Sequence, residues 1–285
     1  MRLHMLCPGD PEWCPDLEQA SPPPKRLFVR GHLPQTLGIG VVGTRRMSAY
    51  GRSCVDVLVP EIVRLGLPVV SGLALGIDGA AHEATRRTDG TTVAVIGSGV
   101  DDASIYPRAH AGLAKRITEH GAVASEYAPG SPSLPHHFPE RNRLIAALSR
   151  AVLVIEAPKK SGAMITARLA LEMGRDVWAV PGPILQPNSV GPHALIRDGA
   201  TPITCPEDIA VALGLKPRQT TLPTLENFAP DERALLAQMA AGRDTADALA
   251  RALGRSVPSV SAMLTMLELR AAVRTVGGGR YTLYT

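Results

Sequence analysis

One short segment of the chain combines an aromatic ring with two cations. Phe138, Arg141, Asn142 and Arg143 stand at the head of an apolar segment, in a chain with an aromatic content of only 4%. An arginine guanidinium pairs with phosphate through two hydrogen bonds, and an aromatic ring stacks on an unpaired base. The group therefore indicates contact with a single-stranded nucleic acid. Phe138 alone would suit a hydrophobic staple before the following helix equally well.

A site for an anion is predicted further along the same stretch. Residues 151–155 form a continuous apolar run, typical of a buried parallel strand, and Ser161-Gly162 then opens another helix. A turn of small residues at a helix N-terminus presents free backbone N–H groups and the positive end of the helix dipole. Lys160 either adds charge to this site or belongs to a solvated loop. The unit is typical of phosphate binding.

Three earlier turns have the same character. They are Gly43-Thr44, which Arg45 follows, Ser71-Gly72 and Gly97-Ser98-Gly99. Glycine and serine are favoured in any strand-to-helix turn, so each turn alone is weak evidence for a ligand. The carboxyl ends of parallel strands share one edge of the sheet, where ligands bind. The four turns together therefore predict a row of anion sites along one rim.

Several enzyme signatures are missing from the sequence. The Gly97 turn lacks the third glycine of a dinucleotide fingerprint, and neither a G-x-x-x-x-G-K-[ST] loop nor a G-x-S-x-G elbow occurs. No general base with an orienting partner stands out, so we predict no catalytic residue. His136 and His137 are adjacent and lack a third ligand, and the four cysteines show no metal-site spacing. These features predict a binding protein without metal or cofactor.

The elements that must position these residues alternate along the chain. Apolar runs predict strands near residues 39–42, 68–70, 92–96, 123, 151–155, 177–180 and 201–204, with helical patterns between them. Such alternation predicts βαβ units with right-handed crossovers. The fold class is therefore a Rossmann-like, doubly wound, mostly parallel α/β sheet, expected over residues 37–216.

The remaining segments are shorter. Residues 1–36 are rich in proline and are interpreted as an N-terminal extension that lays one edge strand or a wrapping segment on the main domain. Residues 217–229 are predicted to be a linker. Residues 230–285 carry three helical patterns and a hairpin, which indicates a small winged-helix domain. Its third helix carries no Arg, Lys, Asn or Gln from Ser256 to Leu269, so we expect a protein-contact or dimer-stabilising role more than sequence-specific duplex recognition.

Composition sets only loose limits on the partner. The chain has 285 residues, a net charge of +4 and 45% hydrophobic residues, which is the balance of a globular protein. No apolar run is long enough to span a bilayer, and the N-terminus lacks a signal pattern. We therefore expect a cytoplasmic protein with no membrane partner. The charge permits a nucleic-acid partner without requiring one.

Seven stretches together resemble DNA-processing protein A, the DprA/Smf family of bacterial transformation proteins. They are GVVGTRRMSAYG from Gly40, SGLALGIDGAAH from Ser71, TVAVIGSGVDDASIYP from Thr92, FPERNRLIAALS from Phe138, SGAMITARLALEMGR from Ser161, AVPGPI from Ala179 and GPHALIRDGA from Gly191. They cover nearly all of the predicted Rossmann-like domain in the family's order. The winged helix is similar to that of some members. No stretch resembles the sterile-alpha-motif-like N-terminal domain common in the family, so we expect it to be missing.

The resemblance implies a non-catalytic protein that binds and protects incoming single-stranded DNA and loads the RecA recombinase onto it during natural transformation. It also implies a homodimer formed through the Rossmann-like domain. Arg45 and the turns at Ser71-Gly72 and Ser161-Gly162 match family positions that line the DNA pocket. Residues 138–143 match the segment that grips base and backbone. The residues leave one alternative open, an enzyme that processes a nucleotide or nucleoside phosphate in the same cleft.

Overall fold

The computed structural model describes residues 3–215, 228–269 and 272–283. The chain divides into two compact units, residues 1–217 and 218–285, and each is described by itself. Most of the predicted linker at 217–229 lies outside the described residues.

A nine-stranded sheet is the centre of the first unit within the described residues. Its strands in chain order are β1 (Leu3–Leu6), β2 (Leu27–Gly31), β3 (Gly38–Val42), β4 (Val69–Ser71), β5 (Thr92–Val95), β6 (Ala122–Ser125), β7 (Ser149–Val154), β8 (Asp176–Ala179) and β9 (Thr201–Pro202). Their spatial order is β1-β2-β6-β5-β4-β3-β7-β8-β9. Strands β3 to β9 pair in parallel, whereas β2 is antiparallel to both β1 and β6.

Helices cover both faces of this sheet. They are α1 (Ala49–Arg64), α2 (Ile77–Arg87), α3 (Ala111–Ile117), α4 (His137–Ala147), α5 (Gly162–Glu172), α6 (Val190–Arg197) and α7 (Glu207–Ala212). Side chains of β3 alternate between the faces: Ile39 and Val41 pack with α1, α2 and α7, while Val42 packs with α4, α5 and α6. Burial on both faces explains why this strand is an unbroken apolar run. The predicted Rossmann-like class is confirmed.

Residues 3–36 are an integral part of the first unit. Strands β1 and β2 extend the sheet beyond β6, and Leu27 and Val29 are fully buried in the core. Trp13 and Leu17, from the segment between these strands, are buried in the same core. The predicted extension therefore supplies two strands of the sheet where one was expected.

The strand order reverses between β3 and β7. The chain adds β4, β5 and β6 on one side of β3, then returns and adds β7, β8 and β9 on the other. At such a switch point the following helices turn to opposite faces and leave a crevice at the carboxyl ends of the strands, where open α/β sheets bind ligands. Here the crevice lies between the turn that begins at Gly43 and the loop that begins at Ile155.

The described part of the second unit, residues 228–269 and 272–283, consists of three helices and a hairpin. They are α8 (Pro230–Ala240), α9 (Ala246–Leu253), α10 (Val257–Leu269), β10 (Val273–Gly277) and β11 (Arg280–Leu283). Leu235, Leu249 and Leu264 lie in a core of its own, which confirms the predicted winged helix. The Glu268 carboxylate accepts hydrogen bonds from N and Oγ1 of Thr275 at 2.8 and 2.9 Å, so its charge fixes the wing. Among the described residues, no helix combines the length and apolar character needed to cross a bilayer.

Candidate functional site

A buried carboxylate fills the turn after β4. Asp78 of α2 accepts the backbone N–H of Gly72 at 3.1 Å, and the backbone N–H groups of Ala74 and Gly43 contribute to its electrostatic environment. Burial raises the pKa of the Asp78 carboxyl, while Arg141 and these backbone donors oppose the rise. The Ser71-Gly72 turn therefore already holds an anion that belongs to the protein.

Arg141 lies beneath the same turn and is only 5% exposed. Its Nη1 donates to the carbonyl of Gly72 at 2.8 Å and also to the carbonyl of Val95. A Cβ atom on Gly72 would lie 2.6 Å from Arg141 Nη2 and 2.7 Å from Asp78 Oδ2, so this position needs glycine. Burial lowers the pKa of Arg141 to about 10, and the Asp78 carboxylate opposes that shift. The expected phosphate contact of Arg141 does not fit this geometry, because the guanidinium is enclosed and bonded to the protein.

Arg143 and Asn142 are also turned into the protein. Arg143 lies in the middle of α4 and not at a strand-to-helix turn. It is 8% exposed, and its Nη2 pairs with Glu126 at 2.6 Å. Asn142 is buried and its Nδ2 donates to the carbonyl of Gly162 at 3.2 Å. The neighbouring sequence positions therefore differ in role: Asn142 ties α4 to α5, and Arg143 ties α4 to the loop after β6.

A second carboxylate occupies the turn after β3. Glu156, at the end of β7, is 4% exposed and accepts the backbone N–H of Ser48 at 3.0 Å and the Ser48 hydroxyl at 2.5 Å. Ser48 is the N-cap of α1, so the negative charge of Glu156 stands where a phosphate would meet this helix. Thr44 is buried, and its N–H donates to the Glu156 carbonyl at 2.7 Å. The Gly43-Thr44 turn is thus internally satisfied.

The turns after β4 and β5 have further internal partners. The Ser71 hydroxyl is buried and donates to the carbonyl of Val41 at 2.6 Å. At the next turn, Gly99 N–H donates to the carbonyl of Ser131 at 2.9 Å, and the carbonyl of Gly97 accepts a bond from His137 Nδ1 at 2.9 Å. Three of the four predicted anion sites are therefore filled by groups of the protein.

The N-terminus of α5 is different. No side chain of the described residues caps this helix, and the buried Oγ of Ser161 has no hydrogen-bond partner among them. Gly162, the first residue of the helix, is exposed, and so are Lys159 and Lys160 just before it. Free N–H groups, a positive helix dipole and two ammonium groups make this end of α5 attractive to an anion.

A cation and two aromatic rings lie together at the same edge of the sheet. The Arg45 guanidinium carbon stands 5.2 Å from the centroid of the Phe138 ring, within cation–π distance. Phe138 is partly exposed, and the Tyr106 ring lies 5.8 Å from it at a tilt of 50°. Arg45 is exposed and forms no salt bridge with a described carboxylate. These three side chains, named here the aromatic cluster, offer two aromatic rings beside an unneutralised positive charge.

Helix α4 connects the aromatic cluster to the open end of α5. Phe138 lies in its first turn, and Asn142 is one turn further on, where it bonds to Gly162. Tyr106 was not predicted as a site residue, although the scarcity of aromatic residues in the chain was a usable signal for it. Among the described residues, no group of three histidine, cysteine or carboxylate side chains is placed to hold a metal ion.

The fold and the site define a Rossmann-like binding protein that carries a winged-helix domain. Comparison with known families gives the assignment. The chain belongs to the family of DNA recombination-mediator protein A, whose model matches residues 4–214. The model of the DprA winged helix domain matches residues 206–279. The resemblance seen in the sequence is thereby confirmed.

Curated relatives are similar over most of their length. Protein Smf of Escherichia coli K12 is 40% identical over 289 residues, which cover 97% of this chain and 76% of that protein. DNA processing protein DprA of Bacillus subtilis 168 is 44% identical over 204 residues, which cover 70% of this chain and 68% of that protein.

Solved structures agree with the fold of the first unit. The crystal structure of DNA processing protein A from Streptococcus pneumoniae matches with a TM-score of 0.70 and 40% identity, covering 74% of each chain. A structure of DNA processing protein A from Helicobacter pylori, solved to describe the single-stranded DNA binding mode of that protein, matches with a TM-score of 0.66 and 27% identity. It covers 75% of this chain and 96% of that one.

Replacing Arg141 tests the structural role assigned to it. Arg141→Leu removes the hydrogen bonds to the carbonyls of Gly72 and Val95 and the positive charge near the buried Asp78 carboxylate, so we expect a loss of about 3–5 kcal/mol in the free energy of unfolding. Arg87, which pairs with Asp56 on the surface, is the matched control, and Arg87→Leu is expected to cost less than about 1 kcal/mol. Urea unfolding measures both. Equal costs for the two variants would contradict the buried role of Arg141.

Proposed function

We propose that this chain binds single-stranded DNA at the rim of the β3–β7 crevice and loads a RecA recombinase onto it. The carrying observation is the contact of Arg45 with Phe138 at the edge of the sheet that also holds the open N-terminus of α5. This combination provides positive charge and N–H donors for phosphates, and a ring for an unpaired base. It is the usual combination in proteins that bind single strands.

The twelve predicted site residues divide into two groups in this proposal. The first group contacts DNA and consists of Arg45, Phe138, Lys160, Ser161 and Gly162. The second group holds the first in place and consists of Gly43, Thr44, Ser71, Gly72, Arg141, Asn142 and Arg143. Tyr106 joins the contacting group as a second ring. Enclosure by the protein is the basis of this division, since a guanidinium buried as deeply as that of Arg141 or Arg143 cannot reach an external phosphate.

Single strands suit this site better than duplex DNA. A duplex keeps its bases stacked and presents only their edges, whereas Phe138 and Tyr106 offer ring faces. The solved Helicobacter pylori relative, with its single-stranded DNA binding mode, supports the same partner for this chain.

The recombinase partner rests on the family. A recombination mediator is a protein that places a recombinase on single-stranded DNA, and the family model carries that description. We extend it to RecA, to the protection of incoming strands and to natural transformation. A RecA partner also requires the cytoplasmic location expected from the sequence.

An enzyme acting on a nucleotide is the second candidate, and two observations weigh against it. In dinucleotide-binding sheets the pyrophosphate meets the helix after the first strand, but here Glu156 holds the N-terminus of α1. The buried His82 is a poor general base, because burial lowers its pKa to about 3 and its Nδ1 bonds Thr92 Oγ1 at 2.7 Å. We therefore propose a non-enzymatic role, to be tested by nucleotide turnover measured beside DNA titration.

A homodimer formed through the first unit is also part of the proposal. The apolar segments 194–196 and 201–203 do not supply a free surface for it, because Leu195 and Ile203 pack into the unit's own core. Support now comes from the family resemblance and from β9, a two-residue strand at the edge of the described sheet. Symmetric dimers are the commonest assembly of soluble proteins.

Arg45→Ala should weaken single-strand binding for every base sequence. One lost phosphate contact lowers the slope of log K against log salt by about 0.7. Fluorescence anisotropy at four or five salt concentrations measures the slope. Arg150→Ala is the control, since Arg150 is exposed at the amino end of β7, away from the crevice. An unchanged slope and affinity for Arg45→Ala would remove it from the site.

Phe138→Ala should cost about 1–3 kcal/mol of single-strand affinity, because a base loses its stacking partner, and should leave the salt slope nearly unchanged. Phe28→Ala is the control, because the ring of Phe28 also lies under an arginine: the Arg26 guanidinium carbon is 5.4 Å from the ring centroid. Phe28 lies on β2, which is four strands away from β3 in the sheet. Titration and thermal melting are measured on both. Early melting with normal affinity per folded molecule would make Phe138 a structural staple only.

Residues 1–216 should form a dimer on their own. Multi-angle light scattering at high micromolar concentration is the measurement, and the expected mass is twice that of the fragment. A monomer at that concentration contradicts a dimer formed through this unit.

A further inference from the structure

The loop after β8 holds two aliphatic side chains in solvent. Ile184 is 85% exposed and Leu185 is 90% exposed, the highest values for large hydrophobic residues in the described part of the chain. Exposed leucines and isoleucines are ordinary when scattered. Two such side chains at the tip of one loop, at the edge of the sheet where ligands bind, indicate a surface that contacts a partner.

This loop is fixed at both ends. Tyr50 donates its hydroxyl to the carbonyl of Pro181, and Ala157 N–H donates to the carbonyl of Asn188 at 2.7 Å. Within the loop, Gln186 N–H donates to the carbonyl of Pro183 at 3.0 Å, which closes a turn around the aliphatic pair. The pair is therefore presented by a constrained turn, so binding through it needs little ordering of the chain.

The same loop lies against the cationic side of the proposed DNA site. Asn188 Nδ2 donates to the carbonyl of Arg46 at 3.2 Å, and the neighbouring Arg45 lies over Phe138. No acidic residue occurs between positions 181 and 196. A partner at this loop thus meets apolar side chains beside positive charge, with no local carboxylate to repel an anionic backbone.

We infer that Ile184 and Leu185 form an aliphatic wedge that packs against the bases of the bound single strand. The inference rests on the proposed function. Isoleucine and leucine side chains separate neighbouring bases in other nucleic-acid complexes, and unpaired bases expose both of their faces. Phe138 and the wedge then flank the Arg45-Arg46 pair, so that bases are held on both sides of the phosphate contacts.

The test compares strands with and without bases. The double variant Ile184→Ser/Leu185→Ser in the full chain should bind a fluorescent single strand of mixed sequence about tenfold more weakly than the wild type. For a strand of equal length made of abasic sites, the double variant should have the same affinity as the wild type. The increase in 2-aminopurine emission on binding, which reports base unstacking, should also fall. Leu171→Ser, a change at an exposed leucine near the far end of α5, should leave all three readouts unchanged.

Equal affinity of the double variant and the wild type for the normal strand overturns the inference, and so does an equal loss on the abasic strand. Light scattering of the DNA-free proteins gives a further test. If the double variant has a different mass from the wild type, the inference is overturned, because the loop then contacts a second copy of the chain. If Arg45→Ala weakens binding in the same assay and the double variant does not, only the wedge fails. If neither Arg45→Ala nor Phe138→Ala weakens binding, the proposed function fails.

Discussion

The two buried charged groups that enclose Gly72, Asp78 and Arg141, are the constraint on which the rest of the site depends. Asp78 accepts the backbone N–H of Gly72, and Arg141 donates to the carbonyls of Gly72 and Val95 at the ends of β4 and β5. Two charged groups this deeply buried are tolerated because each is hydrogen-bonded to the backbone and the charge of one favours the charge of the other. The consequence is geometric: Arg141 fixes α4 against the ends of β4 and β5, and Phe138, one helical turn before Arg141, is fixed with it.

The distribution of carboxylates decides where an external anion can bind. Asp78 and Glu156 place negative charge in the turns that would otherwise resemble nucleotide sites. The N-terminus of α5 carries no such group among the described residues, and lysines precede it. The protein thus leaves the N-terminus of α5 open at a rim where the other turns are internally satisfied. In the proposal, a strand with several phosphates extends from α5 along Arg45.

The sequence predicted the fold and the neighbourhood of the site, because the alternation of apolar runs, the small-residue turns and the family motifs are local patterns. It could not separate Arg45 from Arg141 and Arg143. All three are arginines within stretches that resemble the family, and only the packing of α4 decides which guanidinium is enclosed. The carboxylates that fill the turns could not be predicted for a similar reason, since Glu156 bonds the N-cap of α1 from 108 positions away in the sequence. Residues 3–36 showed no period, yet β2 finds its partner in β6 far along the chain.

Competition between single-stranded and duplex DNA is the most direct test of the account. The full chain is bound to a fluorescent single strand, and unlabelled single strand or duplex of the same sequence is added at several salt concentrations. The account predicts that the single strand displaces the probe at much lower concentration than the duplex at every salt, and that affinity falls steadily as salt rises. Equal displacement by duplex, or an affinity independent of salt, would contradict a site built from an exposed ring, an arginine and an open helix end.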